Sequence, residues 1–173
     1  KGLFYPVDPS SMGSCWIGGN VAENAGGARA LKYGVTKDYV LNLEVVLPTG
    51  AIIWTGANTL KNSTGYNLTQ LMVGSEGTLG IVTKIVLKII PKNTHNVLLL
   101  VPFYKAEQAC EAVSAIFRAG IVPSALEFME RDAIDWSVTY LDGISVDVKP
   151  EHQAHLLIEV DGNYPEILMQ EAE

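Results

Sequence analysis

The chain has 173 residues, of which 48% are apolar and 18% are charged, and its formal net charge is -7. This composition excludes a disordered chain, because enough apolar surface is present for a buried core. The acidic balance and the lack of a basic stripe exclude a partner such as nucleic acid. Any bound anion should therefore be small and held mainly by backbone N–H groups.

Cysteine usage and the chain's first residues indicate its setting. Cys15 and Cys110 are the only cysteines, far apart in sequence, which fits neither a disulfide framework nor a zinc pattern. We therefore expect a reducing, cytoplasmic compartment. The N-terminus has no signal peptide and no initiator Met, and it begins in a loop-like stretch, so we expect a part of a larger protein.

The first predicted region is a long irregular stretch, Gly2–Gly27, rich in Gly, Ser, Asn and Pro. Such a stretch in a compact domain is usually functional. The predicted elements of this region are a short helix at Asn20–Ala25, a strand at Tyr39–Leu47, a turn at Pro48–Gly50, a hairpin strand at Ala51–Thr55, a helix at Asn67–Val73 and a strand at Ile81–Ile90. In the last strand we expect Lys84 and Lys88 on one face and Ile85, Leu87 and Ile89 on the other.

The pattern changes after Pro91, where we place a domain boundary that gives domains 1–91 and 92–173. The predicted elements of the second domain are a strand at Val97–Phe103, a helix at Ala106–Ala119 ended by Gly120, a strand at Ser124–Met129, a helix at Asp132–Leu141, a strand at His155–Val160 and a helix from Pro165. We expect an apolar side with Cys110, Val113, Ile116 and Phe117 in the first helix, and buried Ile134, Val138 and Leu141 in the second. Trp136 and Tyr140, one helical turn apart, should pack within the cap domain, with substrate binding as the alternative. This order predicts an α+β, ferredoxin-like arrangement.

Three segments are dense in Gly and Asn: Asp8–Gly27, Ser63–Leu68 and Gly74–Val82. Glycines let a ligand approach the backbone closely, and Gly-rich loops can aim several N–H groups at one anion. The alternative is that these glycines serve turns only, and composition alone does not decide between turns and a phosphate-bearing ligand. Neither the G-x-G-x-x-G fingerprint nor the P-loop is present, which disfavours a Rossmann dehydrogenase and a P-loop NTPase.

The order and spacing of these segments resemble a known family. Five stretches carry the resemblance: Ile17–Gly27, Lys32–Gly34, Leu43–Gly50, Thr64–Leu68 and Val73–Gly80. They resemble the FAD-linked oxidases of the vanillyl-alcohol oxidase type. The branch that looks most similar contains the glycolate oxidase D-subunit, D-lactate dehydrogenase and D-2-hydroxyglutarate dehydrogenase. Ala125–Met129 and Leu157–Gly162 resemble the start of that family's cap domain. The resemblance implies the second half of a PCMH-type FAD-binding domain followed by part of a ferredoxin-like α/β cap domain.

The resemblance also implies which residues contact the flavin. Those of the first segment are Asp8, Pro9, Ser10, Ser11, Ser14, Cys15, Gly18, Gly19, Asn20, Asn24, Ala25 and Gly26, and those of the third are Glu76, Gly77, Gly80, Ile81 and Val82. No His lies in the first loop, so FAD should be bound non-covalently, with Cys15 left as a possible attachment point. Asn67 stands where relatives often have Asp.

For the parent enzyme, the resemblance implies oxidation of a small 2-hydroxy acid, of the glycolate or D-lactate type, to the 2-oxo acid. Hydride would pass to flavin N5 while a base takes the hydroxyl proton. The family's pyrophosphate loop lies upstream of these segments, and its His and Glu metal ligands and base lie downstream. We therefore expect FAD to bind weakly or not at all to this chain alone, which would be inactive, and we assign no catalytic residue.

Several alternatives stay open. One is an aldonolactone or ether-lipid type oxidase of the same fold, and another is a non-catalytic subunit or remnant. A homo-oligomer or a partner subunit is possible, and the electron acceptor is unassigned.

His152 and His155 form an H-x-x-H pattern. Strand spacing would place the two side chains on opposite faces, so that at most one could enter a site. We therefore predict no metal site there. His95 falls in the expected linker and should be solvated.

Overall fold

The computed structural model describes residues 1–141, 143, 146 and 148–173, as a mixture of helices and strands. Its contacts divide the chain into two compact units, Lys1–Lys92 and Asn93–Glu173. This division falls next to Pro91. Each unit is described by itself below.

The first unit is built around a three-stranded antiparallel sheet. Its elements are β1 (Leu3–Phe4), α1 (Ile17–Glu23), α2 (Ala30–Tyr33), a 3₁₀ turn (Thr36–Asp38), β2 (Val40–Val46), β3 (Ile52–Trp54), α3 (Leu68–Met72), β4 (Ile81–Leu87) and β5 (Ile90–Pro91). The strand order in the sheet is β3-β2-β4, and β1 pairs with β5 separately. The predicted hairpin, the helix before Val73 and the strand from Ile81 are all present.

The core of the first unit forms where α1 and the end of α3 meet β2. Leu43 and Val45 of β2 and Val21 of α1 are fully buried, and Met72 and Val73 pack with them. The central position of β2 explains why its apolar positions are the most deeply buried of the sheet.

The predicted strand Ile81–Ile90 is divided in two. Its first part ends at Leu87, and Ile90–Pro91 pairs with β1 instead. The N–H group of Lys88 donates to the carbonyl of Tyr39 at the point of division. The prediction that Ile89 shares a face with Ile85 and Leu87 was therefore wrong, since those two pack against the core and the Ile89 side chain is 51% exposed.

The second unit alternates strands and helices. Its elements are β6 (His95–Phe103), α4 (Ala106–Arg118), β7 (Ala125–Glu130), α5 (Arg131–Tyr140), β8 (Ala154–Gly162) and α6 (Pro165–Ala172). Because β8 lies between β6 and β7 and is antiparallel to both, those two strands are parallel and α4 is the crossover between them. This is the split βαβ arrangement of ferredoxin-like folds. The predicted linker residue His95 is the exposed first residue of β6.

The core of the second unit lies between α4 and one face of this sheet. Ala109, Ala154, Leu156 and Ile158 are its buried members. The prediction for α4 was right for Val113 and Ile116, which pack against the core, and wrong for Cys110 and Phe117, which are exposed. The buried stripe runs instead through Ala109, Ala112, Val113 and Ile116, since the small Ala109 lets the helix lie close to the sheet.

In α5 only Ile134 is fully buried. Trp136 is 73% exposed and Tyr140 is 88% exposed. The prediction that these two side chains pack within the second unit was therefore wrong. Leu141 is also largely exposed. Within the part of the chain that the structure describes, every helix is too short or too polar to span a bilayer.

Candidate functional site

The first Gly-rich segment folds back so that its two ends meet. Pro9 and Gly27 form an isolated antiparallel bridge. A Cβ atom on Gly27 would lie only 1.5 Å from the carbonyl oxygen of Asp8, so no larger residue fits at this contact. Between these ends the chain makes short turns, in which the Met12 N–H donates to the Pro9 carbonyl and the Ser14 N–H to the Ser11 carbonyl. These successive tight turns hold the loop in one conformation without a hydrophobic core.

The middle of this segment presents open backbone. Ser10, Ser11 and Ser14 are exposed. A Cβ on Gly18 or Gly19, at the start of α1, would meet no other atom within 4 Å. No side chain caps the N-terminus of α1, so its first N–H groups are available to an outside acceptor.

An exposed aromatic residue stands beside this open backbone. Trp16, directly before α1, is 84% exposed. Its indole therefore offers an apolar surface next to a polar one.

Cys15 is half-buried in the same loop and is a free thiol. Its sulfur lies 3.9 Å from the Met12 carbonyl oxygen. Tyr5 lies close by, and its hydroxyl donates to Oγ1 of Thr36 at 3.4 Å. Burial raises the pKa of the Tyr5 phenol, and the charge interaction with Cys15 raises it further against the opposing effect of the Thr36 hydrogen bond. Tyr5 is therefore a neutral hydrogen-bond donor near neutral pH.

The end of α1 is hydrogen-bonded to the third Gly-rich segment. The N–H of Gly74 donates to the carbonyl of Val21 at 2.9 Å, and the N–H of Glu76 donates to the carbonyl of Ala22 at 3.0 Å. Two segments that are some fifty residues apart in sequence thus form one continuous backbone wall.

Backbone conformation at this junction is unusual. Asn24 and Glu76 have φ values of 54° and 50°, and within the described residues they are the non-glycine residues with positive φ. Side chains other than those of Asn and Asp rarely adopt this region, and such residues cluster at functional sites. Asn24 ends α1 and accepts a hydrogen bond from the Lys37 N–H on its Oδ1. The left-handed turns at both positions let the two segments meet.

Ala25 and Gly26 continue this wall toward the 3₁₀ turn. The carbonyl of Ala25 accepts hydrogen bonds from the N–H and the hydroxyl of Thr36. A Cβ on Gly26 would lie 2.9 Å from Cγ1 of Val35. Asn20 is buried and its carbonyl accepts from the Ala25 N–H, so this part of the predicted set is held by its own backbone.

The end of the third segment belongs to the sheet. A Cβ on Gly80 would lie 2.6 Å from Cγ1 of Val45, so glycine is required for β4 to pack against β2. Val82 packs against the first unit's core, whereas Ile81 is 62% exposed. Glu76 and Gly77 are also exposed. Gly80 and Val82 can therefore reach a ligand only through their backbone atoms.

The second segment lies elsewhere in the unit, at a polar cleft with a volume of about 240 Å³. Thr64, Gly65 and Tyr66 line it together with Thr55 and Gly56. Asn67 accepts a hydrogen bond from the Gln70 N–H and so starts α3.

A buried polar network under this cleft was missed by the sequence reasoning. Oδ1 of Asn42 accepts from the N–H groups of Leu43 and Gly56, and the Thr55 and Thr69 hydroxyls are 2.8 Å apart. The available signal was a polar Asn within the apolar run of β2.

The two histidines are not on opposite faces. His152 lies in the turn before β8, which begins at Ala154, so strand alternation does not apply to it. The ring centroids of His152 and His155 are 5.9 Å apart, and the prediction of opposite faces was wrong. Within the described residues, no group of three or more His, Cys, Asp or Glu side chains is placed to hold a metal ion.

Two family models match the sequence. One, the FAD binding domain, matches residues 1–56, and the other, the C-terminal domain of FAD linked oxidases, matches residues 92–173.

Curated relatives match nearly the whole chain. Glycolate oxidase subunit GlcD of Bacillus subtilis is 48% identical over 95% of this chain, and D-lactate dehydrogenase of Anaerostipes hadrus is 45% identical over 97% of it. Mitochondrial D-2-hydroxyglutarate dehydrogenase of Arabidopsis thaliana is 38% identical over 94% of it. The matches cover 34%, 36% and 29% of these relatives, so the chain spans about a third of their length.

A solved structure of alkyldihydroxyacetonephosphate synthase matches 99% of this chain and 33% of its own, with a TM-score of 0.79 and 21% identity. At this identity the likeness concerns the fold alone, which is the PCMH-type fold of this group of proteins.

Proposed function

Because the chain belongs to the FAD-linked oxidases, we propose that it is part of an enzyme that oxidises a 2-hydroxy acid to the 2-oxo acid. Residues 1–91 would supply the second part of the FAD-binding domain and residues 92–173 the first part of the cap domain. The observation that carries this proposal is the junction of two distant Gly-rich segments through the Gly74–Val21 and Glu76–Ala22 hydrogen bonds.

The cofactor of this family is FAD, and the residues present fit it. An open stretch of backbone at Gly18 and Gly19 suits close approach by a flat ligand. The exposed Trp16 gives this stretch an apolar neighbour. We propose that two groups of residues hold FAD: Asp8, Pro9, Ser10, Ser11, Ser14, Cys15, Gly18, Gly19, Asn20, Asn24, Ala25 and Gly26 in the first Gly-rich segment, and Glu76, Gly77, Gly80, Ile81 and Val82 in the third.

The chemistry divides between cofactor and protein. FAD, when bound, supplies the hydride acceptor that amino-acid side chains lack. The wall residues of this chain would orient the ring system and exclude water along one side of it. No residue of this chain is proposed as the base that removes the substrate's hydroxyl proton.

The substrate class is proposed from the relatives. Those at 45–48% identity are named for glycolate or D-lactate, and both substrates are 2-hydroxy acids. The ether-lipid reading has support only from a structure at 21% identity, which concerns the fold. A hydroxy-acid substrate is therefore the better-supported proposal.

Partners and compartment are proposed on narrower grounds. One relative is named as a subunit, so we propose that the parent protein works beside a partner subunit. The two cysteines are both free thiols, which suits a cytoplasmic enzyme.

The test uses the full parent protein, purified without added flavin. We expect a flavin absorbance spectrum that persists through gel filtration and is lost after acid treatment, together with dye reduction driven by glycolate or D-lactate. Dye reduction by aldonolactones with no response to hydroxy acids would instead favour the other oxidase class. A parent protein without flavin would contradict the proposal altogether.

A variant links that result to the wall described here. Gly18→Trp introduces a large side chain at a position where an added Cβ atom meets no other atom within 4 Å. We expect the variant to fold and to bind at least tenfold less FAD than the parent. Undiminished FAD binding would remove Gly18 from the proposed site.

A further inference from the structure

Two imidazole rings lie side by side where β8 begins. The ring centroids of His152 and His155 are 5.9 Å apart and their planes are inclined by 80°. His155 is only 2% exposed, and Tyr104 packs edge-on against His152 with the centroids 5.5 Å apart. The pair is therefore held in place by its surroundings and is not a chance meeting of mobile side chains.

Both rings have a buried nitrogen without a partner. Nδ1 of His152 and Nδ1 of His155 are both inaccessible to solvent and make no hydrogen bond. Leaving a buried polar atom unpaired costs about 1–3 kcal/mol, and such atoms usually have a ligand or an ordered water. Two of them on adjacent rings indicate one shared ligand.

The distance between the rings suits a metal ion. A transition-metal ion lies about 2.1 Å from each imidazole nitrogen, so two rings that share one ion near tetrahedral geometry have centroids roughly 5–6 Å apart. Neutral imidazole is a preferred ligand of Ni²⁺, Cu²⁺ and Zn²⁺. We propose that His152 and His155 bind one divalent transition-metal ion through their Nδ1 atoms.

The positive charge of Arg131 bears on how tightly the site would bind a metal ion. Arg131 lies close enough to His155 to act on its charge. Its Nε donates to the carboxylate of Asp135 at 2.8 Å and a terminal nitrogen donates to the Lys149 carbonyl, so its charge is already paired. With two protein ligands and a paired cation nearby, the site should bind metal more weakly than a four-ligand structural zinc site.

The chain offers a clean control, since it has three histidines and only two of them form the pair. His95 is exposed and its Nδ1 meets the hydroxyl of Thr94 at 2.8 Å. We would titrate Ni²⁺ into the chain and into its His152→Ala, His155→Gln and His95→Ala variants, by calorimetry in a buffer that does not chelate metals.

The expected result is one ion per chain, with affinity at least tenfold weaker in His152→Ala and His155→Gln and unchanged in His95→Ala. Absence of binding at millimolar Ni²⁺ would overturn the proposal and leave a buried water as the occupant. Equal losses in all three variants would overturn it too. His152 is only half-buried, so His152→Ala should fold even where His155→Gln does not, and its result then decides.

A second readout locates the ion independently of affinity. Paramagnetic Ni²⁺ should broaden the imidazole proton resonances of His152 and His155 at substoichiometric amounts and leave those of His95 sharp. Broadening confined to His95 would contradict the assignment.

Discussion

Each unit of this chain has its own apolar core, but the two units differ in how much of their chain that core holds in place. In the first unit, hydrogen bonds from single side chains hold long loops in place. Asn24 accepts a hydrogen bond from the Lys37 N–H, and Asn42 accepts hydrogen bonds from the Leu43 and Gly56 N–H groups. In the second unit, a three-stranded sheet and α4 enclose a continuous apolar core. The loops that form the proposed flavin wall belong to the first kind.

This difference separates two kinds of sensitivity to substitution. Where apolar burial provides the order, the size of a side chain should matter most. Where hydrogen bonds and close backbone contacts provide it, particular glycines and amides should matter more than apolar bulk. A ligand site needs exposed backbone, and exposed backbone cannot be fixed by a hydrophobic core.

The largest expected effect is in the second unit. Leu156 is fully buried between α4 and the sheet, so Leu156→Ala should lower the free energy of unfolding by about 2–5 kcal/mol through lost transfer energy and a cavity. Urea unfolding measures this change. The matched control is Leu98→Ala on β6, where the side chain is 60% exposed and the expected loss is under about 1 kcal/mol. Similar losses in the two variants would show that the core is not where we place it.

The next largest effect on stability is expected at the Pro9–Gly27 bridge, which closes the first Gly-rich segment. Gly27→Ala puts a methyl group 1.5 Å from the Asp8 carbonyl oxygen, which is a backbone atom and cannot rotate away. The bridge to Pro9 must then open, at a cost of about 2–3 kcal/mol, typical of overpacking.

Gly18→Ala is the same chemical change at the open part of the wall. A methyl group there meets nothing, and alanine favours a helix over glycine, so stability should rise by about 0.5–1 kcal/mol. Thermal unfolding of both variants gives the comparison. A shift of the same sign in both would mean that the closed and open parts of the wall do not differ as described.

A smaller effect separates backbone conformation from hydrogen bonding at Asn24. Asn24→Ala loses the bond from the Lys37 N–H and also places alanine in the left-handed region, at a combined cost of about 2 kcal/mol. Asn24→Gly loses the hydrogen bond but keeps the conformation without strain, at about 1 kcal/mol. Urea midpoints of the two variants test this order, and a glycine variant less stable than the alanine variant would refute it.

Sequence reasoning succeeded where periodicity and a resemblance gave independent support. The strands around Leu43 and Leu156 follow from apolar runs of the right length, and the FAD-linked family follows from the ordered Gly and Asn motifs. It failed where an outcome depended on an element boundary. The faces of His152 and His155 were misjudged because β8 starts between them.

The other failures concern rotation and exposure. Cys110 and Phe117 fit a helical stripe, but a stripe one residue away, through Ala109, packs more closely on the sheet. Trp136 and Tyr140 are apolar enough for a core, yet α5 has only Ile134 fully buried. The spacing of apolar residues predicts that a helix has an apolar side, but it does not predict which of two neighbouring stripes packs against the sheet.

The smallest expected effect lies on the outer face of the first unit's sheet and depends on pH. Glu44 accepts hydrogen bonds from Nζ of Lys84 and from the Thr83 hydroxyl, each at 2.9 Å. The Lys84 contact is the main cause of a Glu44 pKa below the ordinary value of 4.5.

A carboxyl with a depressed pKa stabilises the folded state at pH values above its unfolded pKa. That contribution is lost as the pH falls through the lower folded pKa. Glu44→Gln should therefore lower the urea midpoint slightly at pH 7, and this difference should shrink as the pH falls below the ordinary carboxyl pKa and through the lower folded pKa. Because the pair lies at the surface, 1 M salt should reduce the difference at pH 7. A difference that persists undiminished at low pH would mean that Glu44 acts through the packing of its side chain and not through its charge.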